Sequence, residues 1–101
     1  MSWRANQTRT KMLKLETTVQ FRRDYKRMIK RGCKRELIEK VIDTLLEEKA
    51  LDPKHRDHEL KGNYVGFREC HIQPDWLLVY MVDKDRLILT ASRTGTHSDL
   101  F

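Results

Sequence analysis

Three histidines, His58, His71 and His97, are the residues of this chain best suited to chemistry. Asp75 follows His71 by four residues, and Phe101 follows His97 by four. Imidazole has an unperturbed pKa of about 6.5, so near neutral pH it can both donate and remove a proton. Cleavage of RNA without a metal asks for such groups. A base takes the proton of the 2′-hydroxyl, an acid protonates the departing 5′-oxygen, and cations hold the charged phosphate. The histidines suit the first two tasks. Arg93 suits the third, because a guanidinium can meet a phosphate through two parallel hydrogen bonds. Asp75 can orient and charge a histidine or act as the base itself. Phe101 offers a π-face for a stacked base. His97 lies near both Arg93 and Phe101 along the chain, which makes it the candidate general acid. His58 or Asp75 is then the candidate base, with His71 assisting. Trp76 reads as core or pocket wall, and His55, outside this set, is expected to be dispensable.

Hydrophobic periodicity supplies the elements that must position these groups. Met12 to Thr18 alternates weakly, as a short strand would. Phe21, Tyr25, Met28 and Ile29 recur at helical spacing, with Thr17 or Thr18 to cap the helix and Gly32 to end it. Leu37, Ile38, Val41, Ile42, Leu45 and Leu46 form a second stripe, predicting a helix from about Lys34 to Lys49. The few residues around Gly32 predict an antiparallel helical hairpin. A polar loop bracketed by Pro53 and Gly62 carries His55 and His58. Three strand-like runs follow, Tyr64–Ile72, Trp76–Val82 and Arg86–Arg93, joined by turns at Pro74-Asp75 and Asp83-Lys84-Asp85. Such short connections imply an antiparallel meander, and residues 95–101 form a short turn or helical tail. The order β-α-α-β-β-β predicts an α+β fold, one antiparallel sheet packed on an N-terminal helical hairpin. Alternation puts His71 on the strand face that carries Phe67 and Glu69, opposite Arg68 and Cys70. The three histidines thus stand at element ends, where loops converge.

Charge is unevenly placed. Residues 1–35 hold twelve Lys/Arg and two Asp/Glu, whereas residues 36–101 hold nine and thirteen. Clustered Lys/Arg favours a polyanionic partner through counterion release, although a solvated helix face with a basic tail accounts for the same residues. Residues 1–11 show no periodicity and read as a flexible extension, with residues 12–101 as the single domain. No apolar run approaches the roughly 18 residues of a membrane span, and the first eleven residues lack a signal-peptide core. A cytoplasmic protein is expected. Cys33 and Cys70 form no CxxC pair and read as free thiols, Cys70 as a packed small hydrophobe. His55 and His58 have His-x-x-His spacing, and Cys70-His71 adds two ligand types. Structural zinc draws on closely spaced Cys pairs that are absent here, so no metal and no cofactor are expected.

Four stretches, Asp57-His58-Glu59-Leu60-Lys61-Gly62, Phe67-Arg68-Glu69-Cys70-His71-Ile72, Pro74-Asp75-Trp76-Leu77-Leu78-Val79-Tyr80 and Arg93-Thr94-Gly95-Thr96-His97-Ser98-Asp99-Leu100-Phe101, resemble the YafQ branch of the RelE/ParE toxin superfamily. The resemblance covers most of residues 12–101 and is specific as a set. It implies a RelE-like fold and a type II toxin that enters the ribosomal A site and cleaves messenger RNA there. It also implies a DinJ-like antitoxin that holds the toxin inactive and through which the complex binds its operator DNA. Carried over residue by residue, the active-site positions fall on His58, His71, Asp75, His97 and Phe101, with Trp76 and Arg93 also matching. The same fold serves ParE-like toxins that bind a protein target such as gyrase without catalysis. The histidines and Asp75 argue against that reading, and no RRM or KH signature supports a plain RNA-binding module.

Overall fold

The computed structural model describes residues 12–101, and the extension expected at residues 1–11 lies outside them. In chain order the elements are β1 (Lys14–Thr17), α1 (Val19–Lys30), α2 (Arg35–Leu46), β2 (His58–Glu59), β3 (Arg68–Gln73), β4 (Trp76–Asp83), β5 (Ile88–Gly95) and α3 (His97–Leu100). Single 3₁₀ turns at Pro53–His55 and Gly62–Tyr64 flank β2. The α+β class and the order of the main elements are those read from the sequence.

Thr18 does two jobs at the start of α1. Its Oγ1 accepts the Phe21 N–H at 2.9 Å and donates to the Ser92 carbonyl at 2.7 Å, so the cap that starts the helix also docks it on β5. Gly32, with φ +96°, supplies the left-handed residue just beyond the helix end. Helix α2 stops at Leu46, short of the predicted Lys49. The chain turns at Glu48, whose φ is +57°, and the Glu48 and Lys49 N–H groups fold back onto the Leu45 and Thr44 carbonyls. A glutamate in that conformation is no stop signal, which is why periodicity overran the end.

The sheet order is β1-β5-β4-β3-β2. The β3–β4 and β4–β5 pairs are antiparallel as expected; β2, within the segment read as a polar loop, adds a further antiparallel pair with β3, and β1 runs parallel to β5, so the sheet is mixed. Its register, Thr17 opposite Ala91, joins distant parts of the chain, and local alternation says nothing about direction. Strand β3 begins at Arg68 rather than Tyr64 because Gly62–Tyr64 forms a 3₁₀ turn.

The two sheet faces differ. Cys70, Ile72, Trp76, Leu78, Tyr80, Leu89 and Ala91 pack with the apolar stripes of α1 and α2 in one core, and each fully buried large apolar side chain there contributes about 1.5–3 kcal/mol. Leu77 and Val79 alternate onto the opposite face, where they are equally buried but outside that core. The pairing of β1 with β5 ends at Thr17, and α1 covers the β5 edge beyond it. Asp24 accepts the Thr94 N–H at 3.2 Å, an edge donor that would otherwise lack a strand partner.

Candidate active site

The face opposite the helices gathers the histidines. Strand β2 sets His58 directly across from Glu69 on β3. The Nδ1 of His58 lies 2.6 Å from the Arg56 carbonyl, and its Nε2 lies 3.5 Å from Glu69 Oε1. The preceding residue anchors this loop. Asp57 accepts from the Tyr80 hydroxyl at 2.5 Å and from the Arg68 guanidinium at 3.2 Å. Burial, and then the Asp57 carboxylate, push the Tyr80 phenol well above its ordinary range, so it remains a donor.

His71 projects from β3 beside the same carboxylate, its Nε2 4.0 Å from Glu69 Oε1 and its Nδ1 3.2 Å from the Pro74 carbonyl. The β3–β4 ladder shifts register between His71 and Gln73. At that irregularity the His71 carbonyl accepts from His55 Nδ1 at 2.6 Å. His55, expected to stand apart, is therefore a support of the site.

His97 opens the one-turn helix α3. Its backbone N–H and its Nδ1 both donate to Asp75 Oδ1, at 3.0 and 2.7 Å. The His97 backbone N–H, then its ring, hold the Asp75 carboxyl below the ordinary carboxylate range. Of the two roles left open for Asp75, this geometry favours the orienting one, since a carboxylate so well satisfied is a weak proton acceptor. Helix α3 is fixed by a capping box in which Thr96 Oγ1 accepts the Asp99 N–H and Asp99 accepts the Thr96 N–H. Arg31 of the α1 C-terminus reaches Asp99 at 2.7 Å and is the main cause of that carboxyl's depressed pKa. Gly95 is required here, because a Cβ would lie 2.9 Å from Asp99 Cβ.

The His71 and His97 rings are 5.6 Å apart. His58, Glu69, His71, His97 and Asp75 thus lie in a row, hydrogen-bonded at the His97–Asp75 end and in closer or looser proximity elsewhere. In each histidine Nδ1 meets an oxygen acceptor, which assigns the proton there and leaves Nε2 for exchange. The Nε2 atoms of His58 and His71 face Glu69. His71 is mostly buried, whereas His58 and His97 are about half exposed.

Arg93 on β5 is held from behind. Its Nε and Nη2 donate to Asp24 at 2.7 and 3.3 Å. Asp24 is fully buried in the apolar stripe of α1 and also accepts from Gln20 and Arg27, each at 3.0 Å. Burial pushes its carboxyl up, but Arg93, Gln20 and the Thr94 N–H outweigh that and leave it below the ordinary range. A guanidinium has five N–H donors. Asp24 takes the edge formed by Nε and Nη2.

Phe101 is exposed, and its ring meets that of Tyr64 edge to face at 5.5 Å. Trp76, read from the sequence as core or pocket wall and matched to the family's site pattern, is a core residue. It is 2% exposed, and its indole N–H donates to Thr94 Oγ1 at 2.9 Å. A large ring at the first residue of a central strand is drawn into the core beneath the site. Cys70 is likewise core, with burial pushing its thiol far above the usual range. Sequence reasoning missed the roles of Glu69, Asp24 and His55. Glu69 shared the His71 face, and Asp24 stands at i+3 from Phe21 within an apolar stripe, where an acid is out of place. His55 gave no signal.

The family model for the bacterial toxin of type II toxin–antitoxin systems, YafQ, matches residues 13–101. The chain is 34% identical over 89 residues to the mRNA interferase toxin YafQ of Escherichia coli strain B / BL21-DE3, covering 86% of this chain and 94% of that protein. A metal-bound toxin from Helicobacter pylori is 46% identical with a TM-score of 0.85, over 89% of this chain and 100% of that one. The toxin in an E. coli DinJ–YafQ complex is 31% identical with a TM-score of 0.81, over 88% and 98%. Among the described residues of the present chain, no group of three or more His, Cys, Asp or Glu side chains is arranged to hold a metal ion.

Proposed function

The chain belongs to the YafQ family of type II toxins, the mRNA interferases that are endoribonucleases, and we propose that it cleaves messenger RNA on the ribosome by metal-free acid–base catalysis. The observation that carries this reading is the grouping of His58, Glu69, His71, His97 and Asp75 on one side of the sheet, each within a few ångströms of the next, with Arg93 held by Asp24 on β5. His97, oriented by Asp75, protonates the departing 5′-oxygen through Nε2. His58, the more exposed of the two histidines beside Glu69, takes the 2′-hydroxyl proton. His71, lying between Glu69 and His97, stabilises the phosphate charge, and the guanidinium of Arg93 holds the phosphate oxygens. Phe101 stacks on a base. Attack by the 2′-oxygen leaves a 2′,3′-cyclic phosphate upstream and a 5′-hydroxyl downstream.

A DinJ-like antitoxin holds the toxin inactive, as the relative in the DinJ–YafQ complex suggests. An acidic segment suits the Lys/Arg surplus of residues 1–35, and the complex reaches operator DNA through the antitoxin. Ribosomes place the activity in the cytoplasm. No helix among the described residues is long and apolar enough to cross a membrane. The test is induced expression with mapping of RNA ends and a measure of translation. Growth arrest with new 5′-hydroxyl ends inside translated frames, reversed by coexpression of the antitoxin, is expected. Arrest with intact transcripts and undisturbed translation would instead favour a ParE-like protein target.

A further inference from the structure

Resting on the RNA-cleaving reading above, we propose that Tyr64 is the second wall of a subsite for one unpaired nucleobase, set nearly at right angles to Phe101. A cavity of about 170 Å³ lies between the Gly62–Tyr64 turn, β5 and α3, with Asn63, Tyr64, Val79, Arg93, Leu100 and Phe101 among its lining residues. Sites for drug-sized ligands run to about 300–1,000 Å³, so this one has room for a single ring system. Val79, only 3% exposed, gives it an apolar floor.

Tyr64 and Phe101 are the two aromatic side chains among the large hydrophobics exposed in the described residues, at 42% and 57%. Their rings stand at 76° to each other with centroids 5.5 Å apart. A flat ring lying on one of them therefore meets the other at a right angle, with its own edge left for polar groups. Asn63 supplies a side-chain amide that both donates and accepts. Tyr64 does not stand on a loose loop. Its N–H donates to the Lys61 carbonyl at 3.2 Å and its carbonyl accepts the Phe67 N–H at 3.0 Å.

The position of the cavity ties base binding to chemistry. Arg93 lines it while anchored to Asp24, so a base in the cavity puts an adjoining phosphate within reach of the guanidinium. The Phe101 N–H donates to the His97 carbonyl at 2.9 Å, which places the stacking ring one helical turn from the proposed acid. The occupant has to be unpaired, because a stacked face is not open inside a duplex.

The experiment uses ribosomes programmed with messages that carry 2-aminopurine at successive A-site positions and a 2′-deoxy residue at the scissile nucleotide. Wild-type toxin should quench the fluorescence strongly at one position, and Tyr64→Phe should do the same. Tyr64→Ala should lose that quench, and on cleavable message its KM should rise about 5- to 150-fold, the equivalent of one lost stacking contact, with kcat changed less. A thermal melt shows that the variant is folded. Quenching and KM equal to wild type in folded Tyr64→Ala would overturn the subsite. So would wild-type toxin that cleaves the message but quenches at no position, and that result would leave the proposed function standing. Wild-type toxin that neither binds nor cleaves on the ribosome would remove the functional reading and the subsite with it.

Discussion

On one face of the sheet Leu78, Tyr80, Leu89 and Ala91 disappear beneath α1 and α2. On the other, His71 and Arg93 are held by hydrogen bonds to His55, Pro74 and Asp24, and Glu69 lies 3.5 Å from His58 and 4.0 Å from His71. The first face is an energy store whose members are interchangeable within limits of volume. The second depends on orientation, since a ring turned by a few tens of degrees presents the wrong nitrogen. The difference explains why Trp76 and His71, five residues apart, have different fates. It also predicts that damage to one face should be separable from damage to the other.

The largest effect should come from His97→Ala. Losing an acid–base group costs about 10²–10⁴-fold in rate, and the ring is 55% exposed, so single-turnover cleavage should collapse while the thermal midpoint stays near wild type. A midpoint that fell in step with the rate would blur the division between the faces.

Asp24→Ala should break the division on purpose. Asp24 sits on the helical side but holds Arg93, and removing one partner of a buried ion pair costs about 3–5 kcal/mol of stability. Denaturant titration should show that loss, and folded protein should also cleave more slowly. The gentler Asp24→Asn tests acid sensitivity. The folded pKa of Asp24 lies below its unfolded value, so its stabilisation is present above about pH 4 and fades as pH falls through the folded pKa. A stability profile recorded from pH 6 downward should therefore drop less steeply for Asp24→Asn than for wild type.

Ile42→Ala is the complement of His97→Ala. It removes a fully buried side chain from the helical face and should cost about 2–5 kcal/mol of stability, with cleavage per folded molecule unchanged. A changed rate would show that packing, not hydrogen bonding alone, sets the site.

The smallest effect is expected at His55. Losing one neutral hydrogen bond is worth about 0.5–1.5 kcal/mol, so His55→Ala should slow cleavage by roughly 2- to 13-fold. His55→Gln, which keeps a donor toward the His71 carbonyl, should recover part of it. A wild-type rate in His55→Ala would mean that the bond does not hold His71 in place.

The same division governs what could be read from the residues alone. The helical face follows from period: Phe21, Tyr25 and Met28, then Ile38, Val41 and Ile42, announce themselves by spacing, and the three main strands by runs between turn residues. His58, His71, Asp75 and His97 are recognisable by type and by resemblance, and the structure gathers them on one side of the sheet. What spacing could not show was pairing between distant segments. The parallel docking of β1 on β5, the two-residue β2 that sets His58 against Glu69, and the grip of Asp24 on Arg93 depend on contacts across many residues. The end of α2 at a left-handed Glu48 falls in the same class, because no residue type there signals a stop.

The most direct test of the account is the chemistry of the cut. Wild-type toxin is mixed with ribosomes carrying a defined message, in parallel with the same message bearing a 2′-deoxy residue at the scissile nucleotide, and the RNA ends are identified. Acid–base catalysis by the histidine group predicts a 2′,3′-cyclic phosphate, or its 3′-phosphate product, on the upstream fragment and no cut in the 2′-deoxy message. A 3′-hydroxyl end, or undiminished cleavage of the 2′-deoxy message, would contradict it.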